Sequence, residues 1–126
     1  MAHMGLTEAE WQVMECLWDG APRTGREIID ALREKTGWSR STTLTLLRRL
    51  EEKGAVSGGS RDGMKHYRPL IAREDAAVRE TEHLLERVYQ GSVSLMVSSL
   101  VKKQTLSRTE IDKLYAILRE MEDGHD

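Results

Sequence analysis

Helix punctuation constrains this chain more tightly than any other feature. Thr7 is followed three residues later by Glu10, and Thr24 by Glu27. Each pair has the reciprocal spacing in which a side-chain oxygen and a carboxylate satisfy the free N–H groups of a helix start. Ser39 supplies a third cap. Asp19-Gly20 with Pro22, then Gly37, then Gly54 supply the stops. The first 54 residues therefore hold three short helices, the last running from Ser39 to about Lys53. Each has an apolar stripe at helical spacing. The stripes are Trp11, Met14 and Trp18 with Val13 and Leu17; Ile28, Ile29 and Leu32; and Leu46, Leu47 and Leu50 with Thr43. Leu6 stands where a staple residue would precede the first cap.

After Gly54 the pattern changes. "AVSGG" and "MKHYRPL" flank "SRDG". Asp62-Gly63 is a turn dipeptide that favours a two-residue hairpin loop, so Val56 and Met64 to Tyr67 are expected to pair, with Pro69 ending the second strand. The remainder is again helical. Val78, Leu84, Leu85 and Val88 share one side of a fourth helix that ends at Gly91. Val93, Met96, Val97, Leu100 and Val101 recur at i, i+3, i+4, i+7, i+8. Ser107 and Glu110 open a last helix with the stripe Ile111, Leu114, Tyr115, Leu118 and Met121. The expected boundary lies near Pro69 to Arg73, dividing residues 6–70 from a three-helix module at 71–123.

Three helices and a polar hairpin are the elements of a winged helix-turn-helix, whose third helix enters the DNA major groove. The fold class expected is mainly α, with a small β-hairpin wing and a following helical dimerisation module. At 100° per residue Ser41, Thr42, Thr45, Arg48, Arg49 and Glu52 project away from the apolar side of the third helix. Short hydroxyl side chains can approach base edges, and Arg48 and Arg49 can reach phosphates or guanine. Arg40 at the helix start opposes the helix dipole, at a cost of about 0.3–1 kcal/mol that a phosphate would offset. Leu44 flanks the core side and is expected to pack. With Arg61 and Lys65 of the hairpin, the DNA-binding set is Arg40, Ser41, Thr42, Thr45, Arg48, Arg49, Arg61 and Lys65.

Charge agrees with that assignment. The net charge of −2 argues against indiscriminate polyanion binding. Residues 35–68 carry eight Lys or Arg against three acids, whereas residues 71–126 carry eight against eleven. One basic segment within an acidic remainder suits a protein that presents a single face to nucleic acid. The last helices have more apolar stripe than a small monomer can bury. A symmetric homodimer through Val93, Met96, Val97, Leu100, Ile111, Leu114, Tyr115 and Leu118 is therefore expected. It would set two recognition helices about 34–36 Å apart on a dyad operator.

Other chemistries find little footing. No enzyme motif or nucleophile arrangement occurs, and no metal site or cofactor is expected. His83 with Glu82 and Glu86 reads as a solvated face. Cys16 is the only cysteine, which excludes a disulfide within the chain and a thiol-rich metal site; it reads as a small core residue. No run of about 18 apolar residues exists, so no membrane insertion is expected. The opening "MAHMG" reads as partly an expression scar, no signal peptide is visible, and the expected location is cytoplasmic. Two other functions remain open on these residues: a winged-helix protein-interaction module without DNA binding, and a regulator sensing a small molecule near Met96, Leu100 and Tyr115.

"LTEAEWQVMECLW", "WSRSTTLTLLRRLEEKGAV", Tyr67-Arg68-Pro69, "ERVYQGS" and "LSRTEIDKLYAILRE" in this order resemble the penicillinase and methicillin-resistance repressors, the BlaI/MecI/CopY family of bacterial transcriptional regulators. The resemblance runs from Leu6 to Met121. It implies a dimeric winged-helix repressor on a dyad operator upstream of resistance or stress genes, with base-contacting positions at Ser41, Thr42 and Thr45. Three departures stand out. Members often read Ser-Pro-Lys-Thr where this chain has Ser39-Arg40-Ser41-Thr42, which points to a different operator. The wing reads "RDGMKHY", with its turn glycine displaced by one residue. The β-lactam-responsive members, regulated by a membrane sensor-protease, are cut at an Asn-Phe bond. The aligned bond here is Ser99–Leu100, which argues against cleavage of that type. The cysteine-rich tail of the copper-responsive branch has no counterpart in "MEDGHD".

Overall fold

The computed structural model describes residues 5–124, so the MAHM start, with His3, and the last two residues, with His125, lie outside the described residues. The elements run α1 (Glu8–Asp19), β1 (Arg23–Thr24), α2 (Gly25–Thr36), α3 (Arg40–Lys53), β2 (Val56–Arg61), β3 (Met64–Pro69), α4 (Arg73–Tyr89), α5 (Val93–Lys102) and α6 (Arg108–Asp123). The predicted caps form. Thr7 accepts from the Glu10 amide while Glu10 accepts from the Thr7 amide, and Thr24 and Glu27 repeat the exchange. At α6 the serine half is made, with Ser107 Oγ accepting from the Glu110 amide at 3.1 Å. Gly37 and Gly54 close α2 and α3 with φ of 79°, the left-handed conformation that a Cβ disfavours.

The chain divides within α4, between His83 and Leu84, into two compact units. In the first, α1, α2 and α3 enclose a core of Val13, Met14, Leu17, Ile28, Leu32, Leu46, Leu47 and Leu50, closed by Ala55, Val56 and Tyr67 of the sheet region. Truncating one such buried aliphatic side chain to Ala costs about 2–5 kcal/mol. The division lies beyond the residue 70 expected from the sequence, and the segment leading into α4 and its first two turns are bonded to α1 and to Leu6 just before it. Trp18 Nε1 donates to the Ile71 carbonyl at 2.9 Å, Arg73 grips Glu15 through Nε and Nη2 at 2.8 and 3.0 Å, and the Leu6 amide donates to Glu80 at 3.0 Å. Cys16 is half-buried against this core, and burial raises its thiol pKa.

The sheet has three antiparallel strands in the order β1-β3-β2, one more than the hairpin expected. Asp62 and Gly63 both have positive φ, at 54° and 76°, which defines the tight two-residue turn. The register pairs Arg61 with Met64, Ser60 with Lys65, Gly59 with His66, Gly58 with Tyr67, Ser57 with Arg68 and Val56 with Pro69.

In the second unit α5 and α6 bury no side chain completely. Among the described residues, no helix is long and apolar enough to cross a membrane.

Candidate nucleic-acid interface

The third helix separates its faces as the 3.6-residue period demands. Thr43, Leu46, Leu47 and Leu50 are buried, while Arg40, Ser41, Thr42, Arg48, Arg49 and Glu52 are exposed and Thr45 is half-buried. Leu44, expected to pack, is instead 36% exposed. One position after the buried Thr43 carries it round the helix edge and leaves it beside the polar face. The N-terminal end of that face is a cluster of three hydroxyls. Ser39 Oγ lies 3.2 Å from Ser41 Oγ and 3.1 Å from Thr42 Oγ1, and accepts from the Thr42 amide at 3.3 Å. No acid occupies the first turn of α3, whereas α1, α2, α4 and α6 each place one or more there. The positive end of this helix is thus left free of internal neutralisation, with Arg40 adding to it.

The two wing cations identified in the sequence are not brought together. Directly opposed residues of an antiparallel pair share a face, and successive residues alternate. The register therefore places Ser60–Lys65, Gly58–Tyr67 and Val56–Pro69 on one face and Arg61–Met64, Gly59–His66 and Ser57–Arg68 on the other. Val56 and Tyr67 are buried, so the first face turns toward the core. Lys65 lies on that side, where Nζ bonds Glu51 Oε1 of α3 at 3.1 Å and sits 5.2 Å from the Tyr67 ring centroid. On the other face Arg61, His66 and Arg68 line a shallow depression with Ser57 and Gly59, and Ser60 of the first face borders it. His66 Nδ1 is 3.0 Å from the Met64 carbonyl, which leaves its Nε2 edge for an outside partner. Sequence reasoning places Arg61, Lys65 and Arg68 in the hairpin and reads His66 as a surface residue or phosphate contact, but it groups Arg61 with Lys65 and does not assign His66 and Arg68 to the face that Arg61 occupies. The signal was present: a two-residue turn at Asp62-Gly63 fixes the pairing, and strand parity then puts Arg61 with His66 and Arg68.

The helix of proposed base contacts is tied to α1 by an ion pair between buried Glu10 and partly exposed Lys53. Glu10 is 1% exposed, and it receives Lys53 Nζ from the last turn of α3 while still capping α1. Burial alone would raise the Glu10 pKa. The hydrogen bond from Lys53, the Thr7 amide and the Lys53 charge together pull it below the ordinary value.

Eight residues were assigned from the sequence to a dimer surface. Val93, Tyr115 and Leu118 are more than half exposed, at 56%, 63% and 56%. Met96, Val97, Leu100, Ile111 and Leu114 are half-buried. Ser99 Oγ bonds Tyr89 Oη at 3.1 Å and the Met96 carbonyl at 2.9 Å, so the Ser99–Leu100 bond lies inside a hydrogen-bonded helix. Among the described residues no group of His, Cys, Asp and Glu could hold a metal ion.

A three-helix core, a hairpin wing and a third helix with a polar outer face define a winged helix-turn-helix protein. The penicillinase repressor family model matches residues 6–120, and the chain belongs to that family. It is 32% identical over 115 residues to the penicillinase repressor of Bacillus licheniformis, covering 91% of this chain and 90% of that one. It is 29% identical over 113 residues to the methicillin resistance regulatory protein MecI of Mammaliicoccus sciuri, covering 90% and 92%. In three dimensions it is similar to the solution structure of the DNA-binding domain of the repressor BlaI, with TM-score 0.54 and 30% identity over 59% of this chain and 90% of that one. It is also similar to monomeric Bacillus licheniformis BlaI in complex with the blaP half-operator, with TM-score 0.52 and 31% identity over 56% and 87%.

Proposed function

We propose that the chain is a transcriptional repressor that grips a dyad DNA operator as a homodimer and thereby blocks transcription in the cytoplasm. The observation that carries this reading is the outer face of α3. Arg40, Ser41, Thr42, Arg48 and Arg49 are all exposed, with Thr45 beside them, on a helix whose opposite side is fully committed to the core. The BlaI relative bound to its half-operator supports the same use of this fold. Ser41, Thr42 and Thr45 read bases. Arg40, Arg48 and Arg49 hold phosphates, together with Arg61 and Arg68 on the outer wing face. The exposed apolar surface of α5 and α6 supports pairing of two chains, since contiguous apolar patches on soluble monomers mark interaction sites. Control by a membrane sensor-protease rests on family membership; Ser99–Leu100 would have to be unwound from α5 before a protease could take it.

Phosphate contacts make affinity fall steeply with salt, and specific binding is expected at a Kd of about 10⁻⁸ to 10⁻¹¹ M. A duplex selected by the full chain from a random library tests this. A dyad-symmetric winner is expected. Arg49→Ala should weaken all duplexes alike and flatten the slope of log Kd against log salt by about one. Thr45→Ala should cost about 1–3 kcal/mol at particular base pairs only. Failure to protect any duplex at low salt would sink the reading.

A further inference from the structure

We infer that Lys65 is a positioning residue rather than a phosphate contact: with Glu51 it forms a strut across Gly58 that fixes the wing against α3. Three observations converge on this. Strand parity puts Lys65 on the Tyr67 side of the wing, opposite Arg61, His66 and Arg68. Its Nζ reaches Glu51 Oε1 at 3.1 Å, across fourteen residues of sequence. Gly58 is the residue that lets the chain pass. A Cβ there would lie 2.9 Å from Glu51 Oε2 and overlap Lys65 Cε, so any larger residue must push the strut aside. Gly58 has no positive φ that would require glycine on conformational grounds; what it provides is the space over its own backbone.

β1 and the buried Val56 and Tyr67 hold the base of the hairpin, so the freedom left to restrict is that of its outer half, where Lys65 lies. A wing held at one angle loses less freedom when it meets DNA, and that gain appears as affinity. The strut also accounts for an acid near the proposed interface. Glu51 repels phosphate, and its pairing with Lys65 offsets part of that cost. The inference rests on the DNA-binding reading above, and the two fail in different ways.

The test uses full-length protein and the duplex selected by the wild-type chain. Lys65→Gln, Glu51→Gln and Gly58→Ala should each weaken binding about two- to fivefold, the scale of one partly exposed ion pair. The salt slope should stay at the wild-type value. The sign for Glu51→Gln is decisive, because removing an acid from a DNA-facing domain otherwise tightens binding. The exchanged pair Lys65→Glu with Glu51→Lys should restore most of the affinity. Amide relaxation of residues 57–67 without DNA should show a more mobile wing in all three single variants, whether or not the chain binds DNA. The inference is overturned if Glu51→Gln tightens binding, if Lys65→Gln lowers the salt slope by about one, or if wing relaxation is unchanged. A wild-type chain that selects no duplex would defeat the DNA-binding reading, and the relaxation result alone would then decide the strut.

Discussion

Thr43 Oγ1 is buried in α3 and, among the described residues, has no hydrogen-bond partner. A hydroxyl taken out of water without a partner forfeits its solvation, at about 1–3 kcal/mol. Thr43→Val keeps the branched shape and removes the orphan. It should stabilise the protein by about 1 kcal/mol, raising Tm by several degrees in calorimetry. An unchanged or lower Tm would mean that the hydroxyl is satisfied after all. At this scale the sequence was informative wherever one period decided the answer. The 100° step alone put Thr43 inside and Arg48 and Arg49 outside. It placed Leu44 only to within the width of one side chain, and the residue is exposed. Lys65 needed two facts at once, the parity of the hairpin and the identity of its buried face. Only Tyr67, a single aromatic in a polar strand, hinted at the second.

Among the elements, those built from local chemistry were legible. Caps, glycine stops and the Asp62-Gly63 turn act over three or four residues, and each sits where that chemistry puts it. What was not legible depends on tertiary partners. β1 is two residues long, too short for the strand propensity of Thr24 to announce it; Arg23 and Thr24 pair with the edge that β3 offers at Tyr67 and His66. The α4 start is held by Arg73, Ile71 and Glu80, whose partners lie more than fifty residues away in sequence. The tie between α1 and α3 through Glu10 and Lys53 is of the same kind and makes a pH prediction. The folded pKa of Glu10 is below the ordinary carboxylate value of 4.5. The stability it contributes is therefore complete above that value and is lost as pH falls through the lower folded value. Glu10→Gln should cost about 2 kcal/mol at neutral pH. The variant's deficit in urea melts should shrink as the pH falls from 6 to 3, and a deficit constant over that range would show that the charge does not matter.

For the whole molecule, the two units differ in how completely they bury themselves. The first closes a core. The second leaves Val93, Leu95, Val101, Tyr115, Ile117, Leu118 and Met121 largely exposed. Leu118→Asp should therefore leave the helices of a single chain intact but split the proposed dimer. Sedimentation equilibrium should read a monomer with unchanged helical circular dichroism, and a species that still sediments as a dimer would place the interface elsewhere. The hydroxyl cluster at Ser39, Ser41 and Thr42 has a consequence at this same scale. A hydroxyl has no fixed polarity, since its proton turns toward whichever acceptor is nearest. Three that already share protons at 3.1–3.2 Å can offer either a donor or an acceptor to a base edge by rotating in concert. Used to read bases as proposed, such a surface would spell loosely, several base pairs satisfying it about equally. On the proposed pairing, selectivity then comes less from the letters of either half-site than from finding two tolerable half-sites at one fixed spacing.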